Sequence, residues 1–115
     1  MSRFLEALSC RVLLFDGAMG TELIARGMTR ADCSERWVLE EPDQVLAIHS
    51  GYAAAGADVL TAGTFCATRH HLTKHGFESG LDAVNSRAVR LARQAAGKTR
   101  FVAGDIGPTG LMWPP

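Results

Sequence analysis

Val12-Leu13-Leu14-Phe15-Asp16-Gly17-Ala18-Met19-Gly20-Thr21-Glu22-Leu23 carries a short apolar run straight into an acid and two glycines. Val12 to Phe15 lacks polar alternation, the pattern of a strand covered on both faces and hence of a parallel sheet. In folds built on such sheets, the loops at the C-terminal strand ends hold the chemistry. Asp16 therefore stands where a carboxylate could meet a substrate ammonium, and Gly17 and Gly20 would let backbone amides approach a substrate carboxylate. The same residues also read as an acid capping a turn, with glycines supplying unusual dihedrals.

Working outward, the chain alternates strand and helix signals. Asp16 to about Glu41 reads as a long loop, with Trp37 as an apolar anchor pinning it. Pro42 suits the first turn of a helix and Asp43 favours its N-terminus; Val45, Ile48, Tyr52 and Ala55 then recur at helical spacing until Gly56. Asp58-Val59-Leu60-Thr61 supplies a second strand, and Ala62-Gly63-Thr64-Phe65-Cys66 the turn at its end. A short helix is expected through His75.

Ser79 with Asp82 resembles a capping box, and Leu81, Val84, Ala88, Leu91, Ala92 and Ala95 form an apolar stripe that stops before Gly97. Phe101-Val102-Ala103-Gly104 is the third strand, closed by Asp105-Ile106-Gly107-Pro108-Thr109-Gly110. Right-handed crossovers would make the three strands parallel and neighbouring, so Asp16, Thr64 and Asp105 would converge on one sheet edge. The fold class is α/β. Open sheet edges, and no closing helix before Trp113-Pro114-Pro115, read as one piece of a larger fold.

Composition narrows the partners. With 47% hydrophobic residues in 115, the chain can bury a core, and 12 basic residues against 12 acidic ones leave no net charge to attract nucleic acid or an anionic membrane. A small-molecule partner is expected. The N-terminus lacks the apolar core of a signal peptide, and no stretch approaches the ~20 apolar residues of a membrane span, so the expected compartment is the cytoplasm. Cys10, Cys33 and Cys66 form no CxxC pair, which argues for reduced thiols over disulfides or a zinc knuckle.

The remaining candidates are weaker. The glycines of Gly104 to Gly110 suggest a phosphate cradle, but Pro108 removes a donor, and a rigid turn presenting Asp105 into a pocket fits better. His71 and His75 share a helical face at i, i+4 beside His70, Arg69 and Lys74; without a glutamate at the zincin position they read as a solvated face. A barrel hydrolase using His71 and His75 is the rival enzymatic reading. Cys66 reads as a small buried thiol. His49 and Glu22 have no visible partner in the sequence.

Together Phe15 to Leu23, Glu41-Pro42 with Val45, Ile48-His49 and Tyr52, Ala55 to Thr61, Thr64-Phe65, and Gly104 to Gly110 resemble the homocysteine S-methyltransferase family. The match runs in order from about Val12 to Gly110. The family includes the homocysteine-binding domain of cobalamin-dependent methionine synthase and betaine-homocysteine methyltransferase. The resemblance implies a (β/α)8 TIM barrel of about 250 residues or more, with residues 1–115 its incomplete N-terminal part of about three βα units.

It further implies methyl transfer to homocysteine, giving methionine, with the homocysteine thiolate activated by zinc held on three cysteines. Those cysteines lie in a Gly-Gly-Cys-Cys type motif and elsewhere in later strands, which this chain does not show, so residues 1–115 alone are expected to be inactive. By resemblance, Asp16, Gly17, Thr64, Phe65 and Asp105 bind the substrate. The implied methyl source is cobalamin charged by methyltetrahydrofolate, betaine or S-methylmethionine. Ala62-Gly63-Thr64-Phe65 departs from the Thr-Asn-Thr-Phe of many members, as do some relatives of the S-methylmethionine type, whose loop Ala67-Thr68 resembles. A truncated paralogue that only binds a small amino acid is the non-enzymatic rival.

Overall fold

The computed structural model describes residues 2–113. Its elements run α1 (Arg3–Cys10), α2 (Gly20–Ala25), α3 (Ser34–Glu40), α4 (Pro42–Ala54), β1 (Val59–Thr61), α5 (Arg69–Lys74), a 3-10 turn (Glu78–Gly80), α6 (Leu81–Ala96) and β2 (Phe101–Ala103). Pro114 and Pro115, on which the expected lack of a closing helix partly rests, lie outside the described residues. No described helix is long and apolar enough to cross a membrane.

The two covering helices form as their punctuation dictates. Pro42 occupies the first turn of α4 with Asp43 beside it, and Val45, Ile48, His49 and Ala53 face inward. Gly56, at φ +105°, reverses the chain in a conformation that side chains disfavour. On α6 the inward stripe is Val84, Ala88, Leu91, Ala92 and Ala96, and Gly97 at φ +61° ends it. The expected Ser79 capping box does not form. Ser79 lies inside the 3-10 turn, so Gly80 takes the cap position of α6 and supplies no side-chain bond; the turn's first residue, Glu78, bonds to Arg69 at 2.6 Å and to Thr73 at 3.1 Å.

β1 and β2 pair in parallel, Val59 with Phe101 and Thr61 with Ala103, as the α/β reading requires. The first expected strand, Val12 to Phe15, contracts to a single parallel bridge between Phe15 and Val59. The cause is a side chain that intrudes on the ladder: Asp58 Oδ2 takes the Leu14 N–H at 2.9 Å, while the Leu14 carbonyl accepts from both Asp58 and Val59. Arg11 holds Asp58 in place with an ion pair at 2.9 Å. Nor is the run covered on both faces, since Val12 is 89% and Phe15 50% exposed. The sheet order is nevertheless the expected one, with β1 between the Phe15 segment and β2.

The stretch read as one loop, Asp16 to Glu41, contains α2 and α3. Leu23, Met28 and Val38 from it are buried against Val45, Ile48, Ala88 and Leu91, and Trp37 packs on the same cluster, as an anchor should. A second cluster of Ala53, Ala57, Leu60 and Ala96 lies under the sheet. Helix α1, which was not among the expected elements, buries no residue; it is capped by Ser2 and rests its Phe4 ring edge-on against Phe101 at 5.3 Å.

Candidate functional site

The strand-end loops are bound to one another at a single edge of the sheet. The Thr61 N–H donates to Asp16 Oδ2 at 2.9 Å, and the Asp16 N–H to the Val59 carbonyl at 3.0 Å. The Thr64 hydroxyl donates to the Asp105 carbonyl at 2.7 Å and accepts the Asp105 N–H at 3.0 Å. The Gly107 N–H donates to the Phe65 carbonyl at 3.0 Å, and a Cβ on Gly107 would overlap that same oxygen, so the close approach requires glycine. At the first loop, the Tyr52 hydroxyl reaches from α4 to the Ala18 carbonyl at 2.7 Å and its ring fills the space above Gly17. Burial, helped by the carboxylates of Glu22 and Asp16, pushes the Tyr52 phenol up and keeps it a donor.

These loops enclose a cavity of about 430 Å³ whose wall includes Asp16, Gly17, Glu35, Phe65, Cys66 and Asp105. Among the described residues, three carboxylates line it and no lysine, arginine or histidine does. Asp16 Oδ1 is buried without a hydrogen-bond partner among the described residues, while its other oxygen is held by Thr61. A buried carboxylate oxygen left unpaired costs free energy, and a cationic ligand group would offset it. Of the sequence candidates, Asp16, Gly17, Phe65 and Asp105 share the cavity wall, whereas Thr64 is buried behind it and spends its hydroxyl on the Asp105 backbone.

His49 shows what the sequence concealed. It is 0% exposed on the inner face of α4, and neither ring nitrogen has a partner among the described residues. Burial holds its pKa below 6.5, and the Asp16 carboxylate only partly opposes this. The imidazole is therefore neutral in the folded protein at neutral pH. A depressed folded pKa contributes stability that is present above the unfolded value and is lost as pH falls from 6.5 toward the folded value. Acidification from about pH 7.5 to about pH 5.5 should thus lower the urea midpoint of the chain, with a limiting slope near 1.4 kcal/mol per pH unit from this residue. His49→Gln should flatten that dependence; an equally steep profile in the variant would place the titrating group elsewhere.

The histidines of α5 do not form a uniformly solvated face. His75 is exposed with its ring 4.7 Å from that of His71, but His71 Nε2 lies 3.5 Å from the Glu35 carboxylate of α3. Glu35 also accepts from the Cys33 thiol at 3.5 Å. Burial pushes the Cys33 thiol up, and the Glu35 carboxylate adds to this against the backbone amide of Arg36. Cys66 is half-buried and its thiol is likewise raised, first by burial. Glu22, the other partnerless residue of the sequence, pairs with Arg26 one helical turn on, at 2.8 Å.

Known proteins resemble the chain in sequence and fold. Residues 13–114 match the family model of homocysteine S-methyltransferase. The homocysteine S-methyltransferase of Escherichia coli K12 is 37% identical over 112 residues, which span 86% of this chain and 36% of that protein. The methionine synthase of Mycobacterium tuberculosis is 32% identical over 90% of this chain and 10% of its own length. The crystal structure of the homocysteine methyltransferase MmuM from E. coli in its metallated form superposes with a TM-score of 0.78 at 34% identity, covering 94% of this chain and 41% of that one. The chain thus spans well under half of each of these relatives. With the ordered strand-end motifs, the family match and the shared architecture in agreement, the chain belongs to the homocysteine S-methyltransferase family.

Proposed function

We propose that residues 1–115 form the N-terminal part of a (β/α)8 barrel whose whole protein transfers a methyl group to the sulfur of homocysteine, giving methionine. The observation that carries this reading is the acidic, partly apolar cavity at the strand ends, with Asp16 in its wall and one oxygen of that carboxylate buried without a partner among the described residues. An α-ammonium suits that oxygen, and the backbone of the Gly17 loop suits an α-carboxylate. Phe65 offers an apolar wall for the methylene chain. Thr64 and Asp105 hold the second and third loops together, so that the wall keeps its shape. These are binding and positioning roles.

The zinc of the family, held on three cysteines, does not fit the residues present. Cys10 is exposed on α1, Cys33 is buried beside Glu35, and no three thiols converge among the described residues. Activation of the homocysteine thiolate by zinc is accordingly assigned to the whole protein and not to this segment. The expected compartment remains the cytoplasm, and the partners are homocysteine and a small methyl donor.

The whole protein should form methionine from homocysteine with one of methylcobalamin, betaine or S-methylmethionine, while residues 1–115 alone should form none. Failure of the whole protein with all of these donors, measured by chromatography of product, would overturn the assignment. Turnover by residues 1–115 alone would overturn the placement of the activating metal.

A further inference from the structure

A set of metal donors unlike the family's three cysteines lies beside the cavity. Cys33 Sγ, a Glu35 carboxylate oxygen and a His71 ring nitrogen all fall within 4.8 Å of one another. Cys33 precedes α3, Glu35 stands in its first turn, and His71 comes from α5, which Thr68 caps. We infer that these three side chains bind a divalent cation of the zinc class, which ties α3 to α5 and thereby fixes one wall of the cavity.

Geometry comes first. Tetrahedral zinc with bonds of about 2.0 to 2.3 Å sets its donors about 3.3 to 3.8 Å apart. The Sγ to Oε2 and Nε2 to Oε2 separations are both 3.5 Å. Two edges of the tetrahedron thus already have the required length, and only the sulfur-to-nitrogen edge must close. As a hydrogen bond, the imidazole-to-carboxylate contact is too long, beyond the roughly 2.7 to 3.2 Å of a good N–H···O bond.

Charge and burial argue the same way. Glu35 is 4% and Cys33 5% exposed, and a buried carboxylate is costly without a cation. The neighbouring arginine does not serve: the Arg36 guanidinium lies over the Phe77 ring at 4.8 Å, and no lysine or arginine bridges Glu35 among the described residues. A thiolate, a carboxylate and a neutral imidazole balance a divalent cation to zero net charge. The donor set of sulfur, nitrogen and oxygen selects zinc and its relatives over magnesium or calcium, which take all-oxygen shells. Because Glu35 also lines the cavity, the bound cation would hold this wall still without occupying the place of the substrate.

Cobalt(II) titration of the 115-residue chain tests this without reference to catalysis. One equivalent should produce the near-ultraviolet charge-transfer band of a single cobalt-bound thiolate, and zinc should erase it. Cys33→Ser should abolish the band, while Cys10→Ser and Cys66→Ser should keep it. His71→Ala and Glu35→Gln should weaken cobalt binding at least about tenfold, the loss that follows even from removing a partner behind a metal ligand. His71 is partly exposed and Glu35→Gln conserves shape, so these two report on the site independently of any repacking around Cys33→Ser. No band at any cobalt concentration, a band that survives Cys33→Ser or requires Cys66, or unchanged affinity in both His71→Ala and Glu35→Gln would each overturn the site.

Discussion

Asp16→Asn in the whole protein should lower kcat/KM for homocysteine by about 100-fold, mostly through KM. The size follows from losing a charge-assisted hydrogen bond in a recess, worth roughly 1.5 to 3 kcal/mol. The direction follows from geometry. Asparagine must keep its oxygen toward the Thr61 N–H, because Asp16 Oδ2 accepts that bond at 2.9 Å. Its NH2 group then takes the place of Oδ1, the buried oxygen without a partner among the described residues, and sets donors against an ammonium that brings only donors. The fold should survive, since the bond to β1 is conserved, and the urea midpoint should change little. An unchanged KM for homocysteine, with the variant folded, would remove Asp16 from the binding site and leave it as a cap on the loop.

The parts of this architecture legible in the sequence are those punctuated by residues with one dominant local preference. Pro42 and Gly56 bracket α4 and Gly97 ends α6 because the ring of proline and the missing Cβ of glycine act whatever surrounds them. The ends of β1 and β2 were legible for the same reason, and the mixed α/β class held. What failed was decided by distant partners. Val12 to Phe15 reads as a strand by its apolar run, yet Asp58, far along the chain, takes the Leu14 N–H with a side chain and breaks the ladder. Helices α2 and α3 have only 6 and 7 residues, too short for a periodic stripe, and draw their stability from packing on α4 and α6. Likewise, neither the Cys33, Glu35 and His71 cluster nor the burial of His49 carries a local signal: spacing within one helix cannot reveal which other element comes to face it.

Leu60→Ala should be the most damaging of the core truncations, at about 2 to 5 kcal/mol and toward the upper end of that range. Leu60 is 0% exposed at the centre of β1, opposite Val102, and its neighbours in the cluster are Ala53, Ala57 and Ala96. The alanines cannot swing into the space left behind, and Tyr52, which also packs on this cluster, is held by its bond to the Ala18 carbonyl, so collapse would need movement of backbone. That backbone is tethered: Arg100 donates to the Ala57 carbonyl at 3.0 Å and to the Ala53 carbonyl at 2.8 Å. The cavity should therefore persist, and a domain whose total stability is about 5 to 15 kcal/mol would lose a large share of it. Val12→Ala removes a comparable apolar group from a position that is 89% exposed and should change stability by under about 0.5 kcal/mol. Urea denaturation of the two variants side by side separates them; equal midpoints would mean that β1 is not the centre of the core. The consequence reaches the site, because Thr61, next to Leu60, donates the bond that fixes Asp16. Loosening β1 frees the Asp16 carboxylate in the cavity wall, so weakened ligand binding should accompany the loss of stability in Leu60→Ala and be absent in Val12→Ala.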